Sequence, residues 1–315
     1  MLTELARDLL RPLVVAALVS SCTGSDASGR PGTSVTTPPE FDGAAAIGYV
    51  RAQLEFGPRV PGTPAHRAAG DWLVAELQKR ADTVYVQTWT HTTADGKRLP
   101  MRNIIARFAP AAERRVLYVA HWDSRPNADK AEDRALRTSP VPGANDGASG
   151  VAILLGVADV LKARPAGVGV DLVLVDGEDW GNFDTNTDVL IGSKYFAERL
   201  PSAGYAPVFG VVFDMVGDAF PTFLYESHSM VAAPEVVQRV WSTARRLGYE
   251  TAFQPREYGP ITDDHLPLIE KGLRVINVID LDYPWHHTPE DTLDKVSQRT
   301  LQIVGDVAVA LLREI

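Results

Sequence analysis

The sequence holds a single cysteine, Cys22, in 315 residues, so no disulfide framework can form within the chain and no thiolate cluster is available to a metal. Basic runs are missing as well. Lysine and arginine number 31 against 40 aspartates and glutamates, a formal net charge of −9. No Lys/Arg-rich stretch could neutralise a phosphate backbone, so nucleic acid is not expected as a partner. No apolar run approaches the ~20 residues that a membrane-spanning helix needs. Internal repeats are absent too, and beyond Phe41 the composition does not shift again. One domain is therefore expected from there on, long enough to bury a sizeable core.

What is present begins with a start that reads as an export signal. Arg7 and Arg11 are followed by an apolar run from Leu13 to Val19 and then by Ser20, Ser21 and Cys22. The run LVSSC resembles a bacterial lipobox, in which the cysteine is lipidated and becomes the mature N-terminus. An uncleaved amphipathic helix is the alternative, since Glu4 and Asp8 dilute the positive charge. Residues 23–39 are rich in Ser, Gly, Thr and Pro and read as a flexible tether. The expected organisation is a signal peptide with its lipobox cysteine over 1–22, a linker over 23–40 and a single catalytic domain over 41–315. It implies export to the bacterial cell envelope, with the membrane touched only through a lipid anchor.

From residue 41 onward, helical patterns at 44–56 and at 64 onward (Thr63 as N-cap, Pro64 at the first helical position) precede an alternation of elements. Strand-like runs at 84–89, 103–108, 115–120, 170–175, 209–213 and 274–279 interleave with helical stretches at 147–162, 192–199, 234–247 and 264–271. A last helix starts near Ser297. Short apolar strands alternating with amphipathic helices imply an α/β fold, a mostly parallel twisted sheet covered on both faces in a three-layer α/β/α arrangement. Function then belongs at the carboxyl ends of the strands.

Polar clusters gather at those strand ends. His121, Trp122 and Asp123 follow the strand RRVLYVA; Asn145 and Asp146 lie in GANDGASG before an apolar helix. Asp176, Glu178 and Asp179 end VDLVLV, Asp214 ends GVVF, Asp263, Asp264 and His265 open a helix, and Trp285, His286 and His287 follow RVINVID. Each cluster alone has an ordinary structural reading, such as an N-cap for Asp146 or Asp263, or a solvated acidic turn. Together they concentrate carboxylates and imidazoles that need a compensating cation. Mixed imidazole and carboxylate donors without thiolate suit zinc better than calcium or iron.

In the same order, these clusters resemble the motifs of the zinc aminopeptidase and glutaminyl cyclase superfamily. The resemblance runs from about Phe41 to the C-terminus and implies a zinc aminopeptidase-like α/β domain. By position it makes Asp146, Asp179 and His287 the ligands of one zinc and Glu178 the general acid/base. His121 and Asp214, with Asp146 bridging, match the second zinc site of the dinuclear aminopeptidases. Four stretches, AHWDSRPNAD, DMVGDAFPTF, DVLIGSKYFA and TDDHLPLIEKG, look more like bacterial-type glutaminyl cyclases. There Asp263 matches a residue of the catalytic proton network, which Asp214 shares. Two positions depart from the cyclase pattern: His286 stands where a tryptophan usually precedes the ligand histidine, and Asp179 replaces the glutamate of the animal enzymes.

The resemblance thus implies a glutaminyl-peptide cyclotransferase acting on peptide or protein N-termini, with one zinc. Trp122, Trp180, Trp285 and His286 are the expected substrate-pocket residues. A dinuclear aminopeptidase that hydrolyses N-terminal residues is the alternative enzyme. A noncatalytic binding ectodomain on the same fold is the alternative outside enzymology.

Overall fold

The computed structural model describes residues 40–315; the expected signal, the lipidation of Cys22 and the tether up to residue 39 lie outside the described residues. In chain order the elements are α1 (Gly43–Leu54), α2 (Pro64–Gln78), β1 (Thr83–Thr92), β2 (Arg98–Phe108), β3 (Arg115–His121), α3 (Ala148–Ala163), β4 (Gly169–Val175), α4 (Ile191–Glu198), β5 (Phe209–Asp214), β6 (Phe223–Glu226), α5 (Ser227–Ala232), α6 (Pro234–Arg246), β7 (Phe253–Tyr258), α7 (His265–Glu270), β8 (Val275–Ile279) and α8 (Gln298–Arg313). The capping signals act locally as the sequence suggests. Thr63 accepts the backbone N–H of His66 at 3.2 Å, with Pro64 at the start of α2, which satisfies one of the amide groups a helix leaves open.

Six strands form the main sheet in the order β1-β2-β4-β3-β5-β8. β4, β3, β5 and β8 are parallel, and β2 and β1 extend that set antiparallel on one side. Strand alternation sorts the apolar side chains onto two faces. On β3, Val116, Tyr118 and Ala120 join the large core built with α1, α2, α3, α6 and α8. Leu117 and Val119 point the other way, onto Phe196 and Ala197 of α4 and Leu268 of α7. Each such aliphatic side chain, fully buried, contributes about 1.5–3 kcal/mol. Helices on both faces of a mostly parallel sheet are the expected architecture.

The sequence pattern does not announce the unit made by β6, α5 and β7. β6 and β7 pair in parallel as a separate two-stranded sheet. FLYE has only four residues and FQPREY is mostly polar, so neither shows an apolar period long enough to read.

Because the central strands are parallel, their carboxyl ends share one edge of the sheet. His121 closes β3 and Asp214 closes β5. Asp176 to Asp179 follow β4, and the 280–287 segment follows β8. The fold itself therefore concentrates the polar residues.

Candidate active site and metal centre

His121 reaches carboxylates with both ring nitrogens. Nε2 lies 3.1 Å from Asp214 Oδ1 and 3.1 Å from Asp146 Oδ1, and Nδ1 lies 3.5 Å from Asp123 Oδ1. Burial alone would lower its pKa, but Asp214, Asp123 and Asp146 outweigh burial and hold it well above the ordinary imidazole value.

Asp146 does not cap α3. The N-cap is Gly147, at φ +81° and without a side-chain cap bond. Glycine is required there by its positive φ and by space, since a Cβ would stand 2.9 Å from both Asp123 O and His121 Cε1. The Asp146 carboxylate is thereby free to face the site. Burial would raise its pKa, yet His121, His287 and His286 hold it well below the usual carboxylate range.

His287 Nε2 lies 3.3 Å from Asp179 Oδ1 and 3.7 Å from Asp146 Oδ2, so the structure brings Asp146, Asp179 and His287 together. Against burial, Asp179, Asp129 and Asp146 raise the His287 pKa to about 9. Asp179 Oδ1 accepts from Arg125 Nη1 at 2.6 Å, while its buried Oδ2 has no partner. A buried carboxylate oxygen left without a donor is costly, and a cation is the group that would satisfy it. The donor atoms of Asp146, His286 and His287 lie within 4.8 Å of one another, as do those of His121, Asp146 and Asp214. These oxygen and imidazole donors, without thiolate, fit zinc.

Glu178 stands beside this cluster, on the wall of a cavity of about 560 Å³ that Asp146, Asp214, Asp263, His286 and His287 also line. Its backbone is fixed by Asp123, which accepts the N–H of Glu178 at 3.1 Å and of Asp179 at 3.3 Å. Burial raises the Glu178 pKa well above its ordinary value; His121 opposes this, and Asp179, Asp264 and Asp263 add to it. Asp214 is pushed up to about 7, chiefly by burial, with His121 opposing and Asp263 reinforcing. Several carboxyls in one buried space cannot all ionise, so the cavity is equipped to store and move protons. Met215, Ile261, Ile279 and Leu281 supply an apolar side.

The profile of peptidase family M28 matches residues 103–312. The chain belongs to that family. Among solved structures, a glutaminyl cyclase of Porphyromonas gingivalis is 38% identical, with 87% of this chain and 98% of that one covered at a TM-score of 0.84. A Zn-dependent exopeptidase of Parabacteroides distasonis is 36% identical over 89% and 100% of the two chains, with a TM-score of 0.85. A glutaminyl-peptide cyclotransferase-like protein of Mus musculus is 29% identical over 81% of this chain and 72% of its own length.

In this M28 chain, not every expected pocket residue reaches the cavity. Trp122 is fully buried and stacks on His66 at 4.2 Å between centroids, its Nε1 donating to Arg102 O at 3.2 Å. His66 in turn bonds Asp176 at 2.8 Å, so the first acid after β4 serves this packing. Trp180 packs with Leu99, Met101 and Ile191 under Lys97, and Trp285 lies behind the wall, edge-on to Tyr283. Of the four, His286 alone lines the cavity. Burial, and then the charge of His287, push its pKa down to about 3.

The candidate site is also braced by residues that the sequence clusters did not single out. Buried Arg59 donates to Trp122 O, Pro142 O and Gly143 O. Asp291 accepts the backbone N–H groups of Asn145 and Asp146 and the hydroxyl of Tyr283 at 2.6 Å. Burial and the nearby Asp146 push its pKa up to about 7. Arg125 joins Asp179 to Asp129. An arginine within AHWDSRPNAD and an aspartate following HHTPE were the only sequence signals for these.

Proposed function

We propose that this M28 chain is a zinc-dependent glutaminyl-peptide cyclotransferase, converting N-terminal glutamine of peptides and proteins to pyroglutamate with release of ammonia. The observation that carries the reading is the place of Glu178: a buried carboxyl of raised pKa, on the cavity wall beside Asp146 and His287. Similarity to the Porphyromonas gingivalis and mouse proteins supports the same activity.

Asp146, Asp179 and His287 would hold one zinc. When bound, it supplies Lewis-acid polarisation of the glutamine side-chain amide carbonyl. Glu178 takes a proton from the α-amine as the amine nitrogen forms its bond to the side-chain carbonyl carbon. The same carboxyl returns a proton to the amide nitrogen as the carbon–nitrogen bond breaks, and ammonia leaves. Asp214 and Asp263 would share protons with Glu178, whose pKa is kept high by burial and by Asp179, Asp264 and Asp263. Because nucleophile and electrophile belong to one residue, holding the glutamine in a ring-ready geometry supplies much of the acceleration. The apolar side of the cavity would cover the glutamine methylenes.

One observation favours a second reading, the dinuclear aminopeptidase. His121, Asp146 and Asp214 form a second compact donor set, and Glu178 would then serve as base toward water. A noncatalytic ectodomain is the least supported, because the candidate ligands and Glu178 are all in place. Export and a lipid anchor at Cys22 belong to the same proposal; no described helix is long and apolar enough to cross a membrane.

A coupled ammonia assay on a Gln-initiated dipeptide, run beside a chromogenic aminoacyl substrate, separates the readings. Ammonia without amino-acid release is expected. Amino-acid release without ammonia favours the peptidase, and neither activity together with absent zinc favours the binding ectodomain.

A further inference from the structure

His286 and His287 are adjacent, and both turn toward Asp146. Their ring centroids are 3.8 Å apart, and the Nε2 atoms lie 4.0 Å (His286) and 3.7 Å (His287) from Asp146 Oδ2. Two consecutive side chains can face one carboxylate because His287 has a left-handed backbone, φ +57°. A catalytic zinc with three protein ligands and an open position needs Asp146, Asp179 and one of these rings, not both.

The loop after β3 treats the two rings in opposite ways. Asp129 Oδ1 lies 3.3 Å from Nδ1 of His287, a charge contact outside hydrogen-bond alignment, whereas Lys130 Nζ lies within hydrogen-bond distance, 2.9 Å, of Nδ1 of His286. The backbone N–H of Lys130 also donates to His287 O at 3.3 Å, which straps the two segments together. An ionised carboxylate only accepts and an ammonium only donates. Beside Asp129, Nδ1 of His287 therefore keeps a proton, and when a cation replaces the proton that Asp179 and Asp146 favour on Nε2, Nε2 is the nitrogen that gives its lone pair. Beside Lys130, Nδ1 of His286 is the lone-pair atom. Its proton sits on Nε2, the nitrogen facing Asp146, and this ring has no pair to give there.

We infer that Asp129 and Lys130 are positioning residues that set opposite tautomers on the adjacent histidines and so select His287 over His286 as the metal ligand. The inference rests on the zinc site proposed above. Arg125 anchors the arrangement: Nε and Nη2 each hold Asp129 at 2.9 Å, and Nη1 holds Asp179 at 2.6 Å. One guanidinium thus steadies a ligand and the residue that orients another, the outer-shell support that metal-bound histidines ordinarily require.

The test is zinc affinity of the full chain by chelator competition, with thermal stability of the metal-free protein measured in parallel. His287→Gln should abolish tight zinc binding, and His286→Gln should keep it. Asp129→Ala should weaken zinc by about 10–100-fold with little change in metal-free stability. Asp129→Asn should recover most of the affinity, because the amide oxygen can still face the N–H at Nδ1. Lys130→Met placed in the His287→Gln background should restore part of the binding, since His286 is then free to present Nε2. Equal losses for the two histidine variants, an unchanged affinity in Asp129→Ala, or no recovery in the double variant would each overturn the tautomer assignment. A wild type without zinc, by contrast, would overturn the metal site itself and the assignment with it.

Discussion

Asn277, in the middle of β8, donates its side-chain N–H to Oδ2 of Asp263 at 2.5 Å. The bond ties a cavity carboxylate to the sheet, while Oδ1 accepts the backbone N–H of Asp264 just before α7. The N-cap of α7 is Asp264, which makes no side-chain cap bond. A capping role for Asp263 would predict about 0.5–2 kcal/mol of lost stability and spared catalysis on substitution. Asp263→Asn can still accept from Asn277 but cannot share a proton with Glu178. Turnover should fall at least ~10-fold, toward the range assigned to general acid/base groups, while the thermal midpoint stays near that of the wild type. Ammonia release and a melting curve on the same preparation check this.

Glu178→Gln keeps the shape of the side chain and removes its basicity. Zinc content should be unchanged and turnover reduced ~10²–10⁴-fold. Metal analysis beside the ammonia assay decides it, and near-normal turnover would transfer the role to Asp214 or Asp263.

Asp291→Ala leaves the buried N–H groups of Asn145 and Asp146 without their carboxylate. Unpaired buried donors cost about 1–3 kcal/mol each. Chemical denaturation should show a loss of that order, and zinc affinity should fall because Asp146 is no longer held in place.

The acid limb of stability should depend on Glu226. Its buried carboxylate accepts from His228 N, Ser229 N, Ser229 Oγ, Ile261 N and His265 Nε2. Burial would raise its pKa, but His265 and these donors lower it to about 2. A carboxylate whose pKa is lower folded than unfolded adds stability above the unfolded value. That contribution is lost as pH falls through the folded one. Between about pH 4.5 and pH 2, the wild type should lose stability more steeply than Glu226→Gln, measured as denaturation midpoint against pH.

Much of this layout is legible in the sequence because the parallel strands are uninterrupted apolar runs that end abruptly in polar residues. His121, Glu178 and Asp214 can be located from that boundary alone. The boundary does not tell which side of the sheet a neighbour takes. Trp122 follows His121 in extended chain, so it points to the opposite face and stacks on His66; strand alternation was the available signal. Asp291 and Arg59 act through backbone amides and carbonyls far away in sequence, and Arg125 reaches the carboxylate of Asp179 across the site; such contacts have no local pattern. The turn of His286 toward Asp146 depends on the positive φ of His287, which nothing in a His–His pair announces. β6 and β7 escaped because their pairing is non-local, FLYE is too short to show a period and FQPREY is mostly polar.

The central claim is tested most directly by mass analysis of a Gln-initiated peptide incubated with the zinc-loaded protein. A product lighter by one ammonia, of full length and blocked to N-terminal sequencing, is the predicted result. A peptide shortened by its first residue, with free glutamine in solution, would contradict it.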